Sequence, residues 1–209
     1  MEHAVIVLGQ NVSEELALKR CADATVFAAD QGAAYCLRHH IPMDVIVGDF
    51  DSVSQEEKDA LLESGARIVE LPHHKDVTDT AEALSHCKEF DEVRILGGIA
   101  GNRIEHFIAN IDLLTLRPNV ASMEDDDSYI TVLSNTSVLF SKDESEYVSI
   151  FALEDAIVSL KGFEYPLDHF SLSRGDPLGV SNEILDDVGE ISVHEGLLLV
   201  IVHKTAFCP

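Results

Sequence analysis

The sequence is poor in basic residues. Its 209 residues include 14 lysines and arginines against 38 aspartates and glutamates, which gives a formal net charge of −24. Binding to the backbone of a nucleic acid or to an anionic membrane requires clustered cations, so the composition argues against both kinds of partner. If the substrate is a phosphate compound, we expect a bound metal ion to supply much of the attraction.

Cysteine is also scarce, and its placement argues against disulfides and zinc. The four cysteines, Cys21, Cys36, Cys87 and Cys208, are scattered and include no C-x-x-C pair, which favours reduced thiols in a cytosolic protein. No apolar run approaches the roughly 20 residues of a membrane-spanning helix. The N-terminus has no basic segment of the kind that opens a signal peptide. We therefore expect a soluble, cytoplasmic protein.

Strands and helices alternate over the first half of the chain. Helices are predicted between five short apolar runs that predict strands, at 4–8, 25–29, 45–48, 67–71 and 92–96. The last predicted helix, 103–116, has an apolar face made of Ile104, Phe107, Ile108, Ile111 and Leu114. Such alternation is typical of a mostly parallel sheet covered by helices on both faces.

The alternation stops near Pro118. The acidic run 124–127 shows no periodicity, and we interpret it as a solvated turn at a domain boundary. Short apolar runs then predict the strands of an antiparallel sandwich, at 129–133, 137–140, 147–152, 156–160, 189–193 and 197–202. The predicted fold class is α/β plus all-β. A mostly parallel α/β domain over 1–123 is followed by a β-sandwich domain over 124–209.

Two carboxylates follow the third predicted strand. After the apolar run 45–47, Gly48 is followed by Asp49 and, one residue further, by Asp51. Residues two apart in an extended chain point to the same side, and ligands of open α/β sheets bind beyond the carboxyl ends of the strands. A Mg²⁺ ion between the carboxylates would relieve their repulsion. The alternative is a surface turn made by Asx side chains.

Further acidic residues follow the neighbouring strands, so we expect them at the same edge of the sheet. Asp30 follows the second strand, and Asp76 and Asp79 follow the fourth. Asp76 is the better third metal ligand, because Asp79 can instead be the N-cap of the next helix. The histidine pair at 73–74 is better interpreted as part of a polar loop than as a pair of ligands.

A glycine-rich turn, G-G-I-A-G-N-R at 97–103, joins the fifth strand to the last helix. Glycines let the backbone approach phosphates, which the start of a helix attracts, and Arg103 adds a cation suited to phosphate oxygens. The spacing matches neither a Walker A loop nor G-x-G-x-x-G, so the glycines alone are a weak signal. Asn102 and Glu105 can equally be a capping pair, and His106 either a phosphate contact or a plain helix residue.

Two long loops, at 162–167 and 175–183, interrupt the predicted sandwich. Long loops on a rigid scaffold often bind ligands, although an ordinary connection is slightly favoured here. Carboxylates, a metal and a phosphate-binding turn indicate phosphoryl chemistry. One candidate class transfers a group from a nucleotide. The other is a phosphatase of the haloacid dehalogenase type, with Asp49 as a covalent nucleophile, but it leaves the 97–103 turn and the all-β half unexplained.

Five motifs, in this order, resemble those of the thiamine pyrophosphokinase family: Asp30-x-Gly32-Ala33, Gly48-Asp49-Phe50-Asp51-Ser52, Asp76-x-Thr78-Asp79, Gly97-Gly98-x-x-Gly101-x-Arg103 and Ser181-Asn182-Glu183. The resemblance implies transfer of a pyrophosphoryl group from ATP to the hydroxyl of thiamine, with release of AMP. It also implies Mg²⁺ and a homodimer whose thiamine sites lie between subunits. A non-catalytic nucleotide- or thiamine-binding module is the alternative from another class.

The resemblance also implies roles for single residues. Asp49, Asp51 and Asp76 would hold the metal and, with Arg103, carry catalysis. The implied nucleotide-binding residues are Asp30, Gly32, Asp79, Thr80, Gly98, Gly101, Arg103 and His106. Ser181 and Asn182 would face thiamine, from the other subunit.

The sequence departs from the family pattern at a few positions. Gln31 and Asn102 stand where the family usually has glycine, and Glu105 replaces a common aspartate. No tryptophan is present to stack on thiamine, as it does in some members. Tyr165 or Phe163 is the aromatic candidate for that contact.

Overall fold

The computed structural model describes residues 2–49, 55–71, 77–99, 101 and 103–205. Its helices are α1 (Glu14–Cys21), α2 (Gln31–Arg38), α3 (Gln55–Glu63), α4 (Asp79–Ser85) and α5 (Ile104–Thr115). Its strands are β1 (His3–Val7), β2 (Thr25–Ala29), β3 (Val45–Gly48), β4 (Arg67–Glu70), β5 (Glu92–Leu96), β6 (Ala121–Glu124), β7 (Ser128–Leu133), β8 (Thr136–Ser141), β9 (Ser145–Ala152), β10 (Ala156–Lys161), β11 (Leu167–Leu172), β12 (Val188–Glu195) and β13 (Leu198–Lys204).

The chain divides into two units, each with its own hydrophobic core. The first unit consists of the chain up to Leu113 together with Met123–Asp126. The second consists of Leu114–Ser122 and the chain from Asp127 onward. None of the described helices is both long and apolar enough to cross a membrane.

The first unit contains the predicted parallel sheet. Its strands lie in the order β4-β3-β2-β1-β5-β6, and the pairs from β4 through β5 are all parallel. Successive residues of the central strands are fully buried, as in a strand covered on both faces: Ile6, Val7, Ala28, Ala29, Ile46 and Val47. The prediction of a sheet covered on both sides is therefore confirmed, and the segments that follow β1 to β5 all begin at its carboxyl edge.

Two helices of the first unit begin at hydroxyl caps. Ser13 Oγ accepts a hydrogen bond from the N–H of Leu16 at the start of α1. Thr78, rather than Asp79, is the N-cap of α4, since its Oγ1 accepts from the N–H of Ala81. The capping alternative for Asp79 is therefore wrong, because Asp79 is already the first helical residue.

The predicted apolar face of α5 is only partly correct. Leu114 is fully buried, but Ile104 and Ile108 are 68% and 57% exposed. Asn110 is buried instead, because its side-chain amide donates to the carbonyl oxygen of Gly98 at 3.3 Å. The packed face of α5 thus includes a polar residue with a specific partner, which the pattern of apolar residues alone cannot predict.

The acidic run 124–127 is only half the solvated turn that we predicted, since Asp126 and Asp127 are exposed but the first two residues are not. Glu124 ends β6 and is 1% exposed, and Asp125 is 2% exposed. Glu124 is neutralised by Arg20 and Arg94, which lie in distant parts of the chain. Because local sequence cannot show such partners, the buried first half of the run could not be told from its exposed second half.

The second unit is an antiparallel sandwich, as predicted. One sheet has β7-β13-β9 and the other has the order β11-β10-β12-β8, with antiparallel pairing in both. Residues from both sheets form the core, among them Ile150 and Val200 from the first and Val158 and Ile191 from the second. Strand β11 begins at the end of a segment predicted to be a loop. Most of its residues are exposed, so it lacks the alternation that marks a half-buried strand.

Candidate functional site

The carboxyl edge of the parallel sheet brings Asp30, Asp49 and Asp79 together around Gly48. Asp49 directly follows β3. A Cβ atom built on Gly48 would lie 3.9 Å from Oδ1 of Asp79 and 3.8 Å from Cα of Asp30. The N–H of Asp30 also donates to the carbonyl oxygen of Val47 at 3.1 Å. The predicted gathering of acidic residues is thus present, while their roles as ligands stay predictions.

Several predicted site residues lie outside the described part of the chain: Asp51, Asp76, Asn102 and the histidine pair at 73–74. Among the described residues, no group of three or more histidine, cysteine, aspartate or glutamate side chains is arranged to hold a metal ion. The predicted metal site therefore has one described member, Asp49, which is followed within two residues by a second candidate.

The start of α2 is strained and tightly packed. Asp30 has φ 51° and ψ −122°, a left-handed backbone that a side chain rarely adopts and that is often found at functional sites. A Cβ atom on Gly32 would lie 1.8 Å from the carbonyl oxygen of Val7. Only glycine allows the first turn of α2 to lie this close to the end of β1, so close packing alone explains the residue type at Gly32.

The glycine turn lies against the loop that follows β1. Gly97, Gly98 and Gly101 all have positive φ, at 90°, 75° and 129°. A Cβ atom on Gly97 would lie 2.8 Å from the carbonyl oxygen of Gln10, and one on Gly101 would lie 3.4 Å from its side-chain Oε1. The backbone of these glycines can therefore approach a ligand closely, and the loop after β1 determines the position of the turn.

Arg103 lies at the exposed start of α5. Its carbonyl oxygen accepts from the N–H of His106 at 3.0 Å, and its Nε donates to Oε1 of Glu105 at 2.9 Å. This hydrogen bond, more than any other cause, holds the pKa of the Glu105 carboxyl below its ordinary value. Glu105 thus pairs with an arginine side chain. His106 is half-buried, and Thr80 is buried in α4.

Our sequence reasoning missed residues 8–13, which form the loop between β1 and α1. Gly9 lies against the Tyr35 side chain. A Cβ atom built on Gly9 would lie 2.6 Å from the Cβ of Tyr35. The Tyr35 hydroxyl donates to the carbonyl oxygen of Val12 at 3.0 Å. Burial, followed by nearby negative groups that include Asp126, raises the pKa of Tyr35. The signal was available, because these residues also follow the carboxyl end of a parallel strand.

In the second unit, Asn182 is occupied by backbone contacts. Its side chain is 4% exposed, its Oδ1 accepts from the N–H groups of Tyr165 and Glu183, and its Nδ2 donates to the carbonyl oxygen of Tyr165. Ser181 is exposed, with φ 56°, and its N–H donates to Ser149 Oγ at 2.9 Å. The structure therefore gives Asn182 a positioning role, and the predicted contact with thiamine stays a prediction.

Of the two aromatic candidates, Tyr165 is exposed and Phe163 is buried in the sandwich core. Phe163 packs so tightly that a Cβ atom on Gly189 would lie 2.6 Å from its ring. Tyr165 is therefore the aromatic side chain of this pair that a ligand can reach. Its backbone is the part held by the Asn182 amide.

Comparison with known protein families gives matches in both halves of the chain. Residues 18–123 match the family described as "Thiamin pyrophosphokinase, catalytic domain". Residues 135–198 match the family described as "Thiamin pyrophosphokinase, vitamin B1 binding domain". Neither match favours the phosphatase alternative.

Individual relatives agree with these matches. The thiamine pyrophosphokinase of Bacillus subtilis is 31% identical over 169 residues, which cover 77% of this chain and 78% of that protein. Thiamine pyrophosphokinase 2 of Arabidopsis thaliana is 22% identical over 237 residues, covering 99% and 88%.

Solved structures have the same fold. The crystal structure of thiamine pyrophosphokinase from Bacillus subtilis gives a TM-score of 0.86 at 26% identity and covers 97% of this chain and 99% of its own. That of yeast thiamin pyrophosphokinase gives 0.81 at 13% identity, covering 98% and 86%. At this low identity the yeast structure supports the fold alone.

Proposed function

Since this chain belongs to the thiamin pyrophosphokinase family, we propose that it transfers the pyrophosphoryl group of ATP to the hydroxyl of thiamine and releases AMP. The observation that carries the proposal is the gathering of Asp30, Asp49 and Asp79 around Gly48, at the same edge of the sheet as a glycine turn. Carboxylates and close backbone approach are what a metal-bound polyphosphate requires. The first domain would bind nucleotide and metal, and the second would bind thiamine.

The residues of the chain act mainly by positioning. The N–H groups at the start of α5 and the backbone of Gly98 and Gly101 receive phosphate oxygens, because such groups attract anions. Arg103 adds a guanidinium group that can bond two oxygens at once. With the phosphates held, the thiamine hydroxyl attacks the β-phosphorus in line, and AMP leaves from the opposite side.

The residues at the sheet edge fit a Mg²⁺ ion, because their side chains are carboxylates and Mg²⁺ prefers oxygen ligands. Asp49, Asp51 and Asp76 would hold it, and Asp30 and Asp79 would line the nucleotide site. When bound, the ion neutralises charge on the phosphate oxygens. With 38 acidic residues in the chain, this neutralisation matters more than in a neutral protein.

We also propose a cytoplasmic homodimer with thiamine sites between subunits. The free thiols of Cys21 and Cys36 support a reducing compartment. The exposed side chains of Tyr165, Val180 and Leu185 supply apolar surface to the second unit, which supports contact with a partner subunit or an aromatic ligand.

Mass spectrometry of the products from thiamine, ATP and Mg²⁺ tests the proposal. We expect AMP and thiamine diphosphate to appear in equal amounts. Free phosphate without thiamine diphosphate would instead support the phosphatase. Thermal stabilisation by ATP or thiamine, with no product after long incubation, would support a non-catalytic binding module.

Two aspartate variants test the site. Asp49→Asn and Asp51→Asn should each lower kcat roughly 100-fold, the scale of losing one preorganised electrostatic partner. Asp23→Asn is the matched control, since Asp23 is exposed and precedes β2 at the opposite edge of the sheet. Near-normal turnover of both site variants would remove the metal assignment.

A further inference from the structure

We propose that Asp125 and Asp126 are positioning residues for the nucleotide, and that they act through the β1–α1 loop, residues 8–13. This inference rests on the proposed function, since it deepens the account of the same site. Neither residue follows any of the strands predicted from the sequence, and both belong to the run that we interpreted as a solvated turn. The structure connects them instead to the loop on which the glycine turn rests.

The first step is the attachment of the loop to the acidic run. Asp125 accepts a hydrogen bond from the side-chain amide of Asn11 at 2.9 Å. Asp126 Oδ1 accepts from both the N–H and the hydroxyl of Ser13, at 3.0 and 2.8 Å. The N–H of Asp126 donates to the carbonyl oxygen of Asn11 at 3.1 Å. Four hydrogen bonds therefore join two consecutive acidic residues to two residues of the loop.

The second step is the contact of the loop with the glycine turn and with the start of α2. Gln10 lies against Gly97 and Gly101, at the distances given above. Gly98 lies against Leu8, whose Cδ1 would be 2.7 Å from an added Cβ atom. On its other side, the loop meets α2, since the Cα of Leu8 would lie 3.2 Å from a Cβ atom on Gly32. A shift of residues 8–13 must therefore move both elements.

The third step concerns charge. A nucleoside triphosphate is highly anionic, so a carboxylate near its site weakens its binding by charge repulsion. The carboxylate can offset this effect if its hydrogen bonds position the residues that bind the nucleotide. Glu124 is neutralised by two arginines, whereas Asp126 is exposed and bonds to neutral groups of Ser13. The hydrogen bonds of Asp126 and its negative charge thus have opposite effects on the nucleotide. Substitutions can separate them.

Asp126→Ala and Asp126→Asn form the test. Alanine removes the acceptor for Ser13, so we expect the Kd for a non-hydrolysable ATP analogue with Mg²⁺ to rise about tenfold, the scale of one lost charge-assisted hydrogen bond. Asparagine keeps an acceptor oxygen and loses the charge, so its Kd should equal the wild-type value or fall below it. Calorimetric titration measures all three proteins and needs no turnover.

Steady-state kinetics distinguishes a positioning role from a loss of folded protein, because a loss of folded protein leaves KM unchanged. Asp126→Ala should raise KM for ATP while KM for thiamine stays within about twofold. A smaller folded fraction would instead lower kcat and leave both KM values unchanged, and that result would overturn the proposal. An unchanged Kd for the analogue in Asp126→Ala would overturn it as well.

Asp91→Ala is the matched control. Asp91 also accepts a hydrogen bond from a backbone N–H, that of Glu2 at 2.9 Å, but it precedes β5, at the opposite edge of the sheet. Its Kd for the analogue should equal that of the wild type. If the wild-type protein forms no thiamine diphosphate, the proposed function fails, and the analogue titrations still decide whether Asp126 positions a nucleotide.

Discussion

The carboxylate of Glu124 accepts hydrogen bonds from two nitrogens of Arg20, from Nε at 2.9 Å and from Nη2 at 2.8 Å. Arg94 adds a third bond at 2.8 Å through Nη1 and also bonds to Glu92 through Nη2. A buried carboxylate is tolerated only when it is paired and hydrogen-bonded. The pair fixes the end of β6, where the carbonyl oxygen of Glu124 accepts from the N–H of Gly97 at 2.8 Å.

Glu124→Ala should lower the free energy of unfolding by about 3 kcal/mol, because it leaves two partly buried arginines without their shared carboxylate. Urea unfolding followed by circular dichroism measures the loss. Lys161→Ala is the matched control, since its ion pair with Glu190 is largely exposed and should contribute at most about 1 kcal/mol. Equal effects in the two variants would contradict the prediction.

Gly32→Ala should destabilise the protein by about 3 kcal/mol, the upper part of the usual range for forced overpacking. The added methyl group meets the backbone of Val7, which cannot turn aside as a side chain can. Gly65→Ala serves as the control, because Gly65 has φ 79° and no atom of the described residues lies within 4 Å of its added Cβ. It should cost only about 1–2 kcal/mol of backbone strain. The order of the two unfolding midpoints checks the prediction.

Arg103→Ala should raise KM for ATP about tenfold, as expected for one hydrogen bond to a charged group. Glu105→Gln should have the opposite effect and lower KM for ATP, because it removes the negative charge that now pairs with Arg103. Arg174→Ala, at an exposed arginine of the second unit, controls for the loss of a positive charge. A KM for ATP that is equal in all three variants would exclude a phosphate contact by Arg103.

Asn182→Asp should lower the free energy of unfolding by about 2 kcal/mol, since it places a carboxylate oxygen against the carbonyl oxygen of Tyr165. Asn135→Asp makes the same change at an exposed turn, where the amide donates to Ser134 Oγ, and should stay within about 0.5 kcal/mol. Thermal unfolding of the two variants provides the measurement. A KM for thiamine that rises only in Asn182→Asp would also link the Tyr165 segment to that substrate.

The buried thiols should make stability fall at alkaline pH. Burial raises the pKa of Cys21 to about 11 and, with help from the nearby charge of Cys21, that of Cys36 to about 12, against an ordinary value of 9.0. The unfolded chain loses these protons first, so it binds fewer protons above pH 9, and stability should decline as pH rises from 9 towards 11 or 12. Urea unfolding at pH 8, 9 and 10 checks the sign.

The same burial should keep the thiols unreactive. In a Cys208→Ser background, Ellman's reagent at pH 8 should react with Cys21, Cys36 and Cys87 only after unfolding, since all three are buried and thiolates are the reactive form. Rapid reaction of the native protein would contradict both the burial and the raised pKa values. Cys36→Ala should weaken the alkaline loss of stability.

Much of the fold follows from local pattern. The predicted strands 25–29 and 92–96 match β2 and β5 residue for residue, because a short, largely apolar segment between polar turns has few alternatives. Strand β6 was missed, since its last residue is Glu124 and an acidic residue lowers any strand score. In the fold it pairs with its neighbours in the sheet, and two arginines that only the folded chain brings near neutralise Glu124.

The candidate site could be predicted only in part. The aspartates that follow β2 and β3 are found by asking what ends a parallel strand, and the structure brings them together. Residues 8–13 also follow the end of a parallel strand. They were not predicted as part of the site, because the G-Q-N segment at 9–11 carries no charge. The positioning role of Asn182 could not be predicted from the sequence, because its three partners are backbone groups that every sequence possesses.

The first unit is not continuous along the chain, and this bears on its order of assembly. Arg20 and Glu124 are separated by 104 residues, and the intervening segment Leu114–Ser122 belongs to the second unit. During synthesis, helix α1 and the loop before it therefore lack the acidic run that bonds to Arg20, Asn11 and Ser13 until residue 126 has left the ribosome. A nascent chain that ends at Leu113 holds all five parallel strands and still lacks the carboxylates that fasten its first loop.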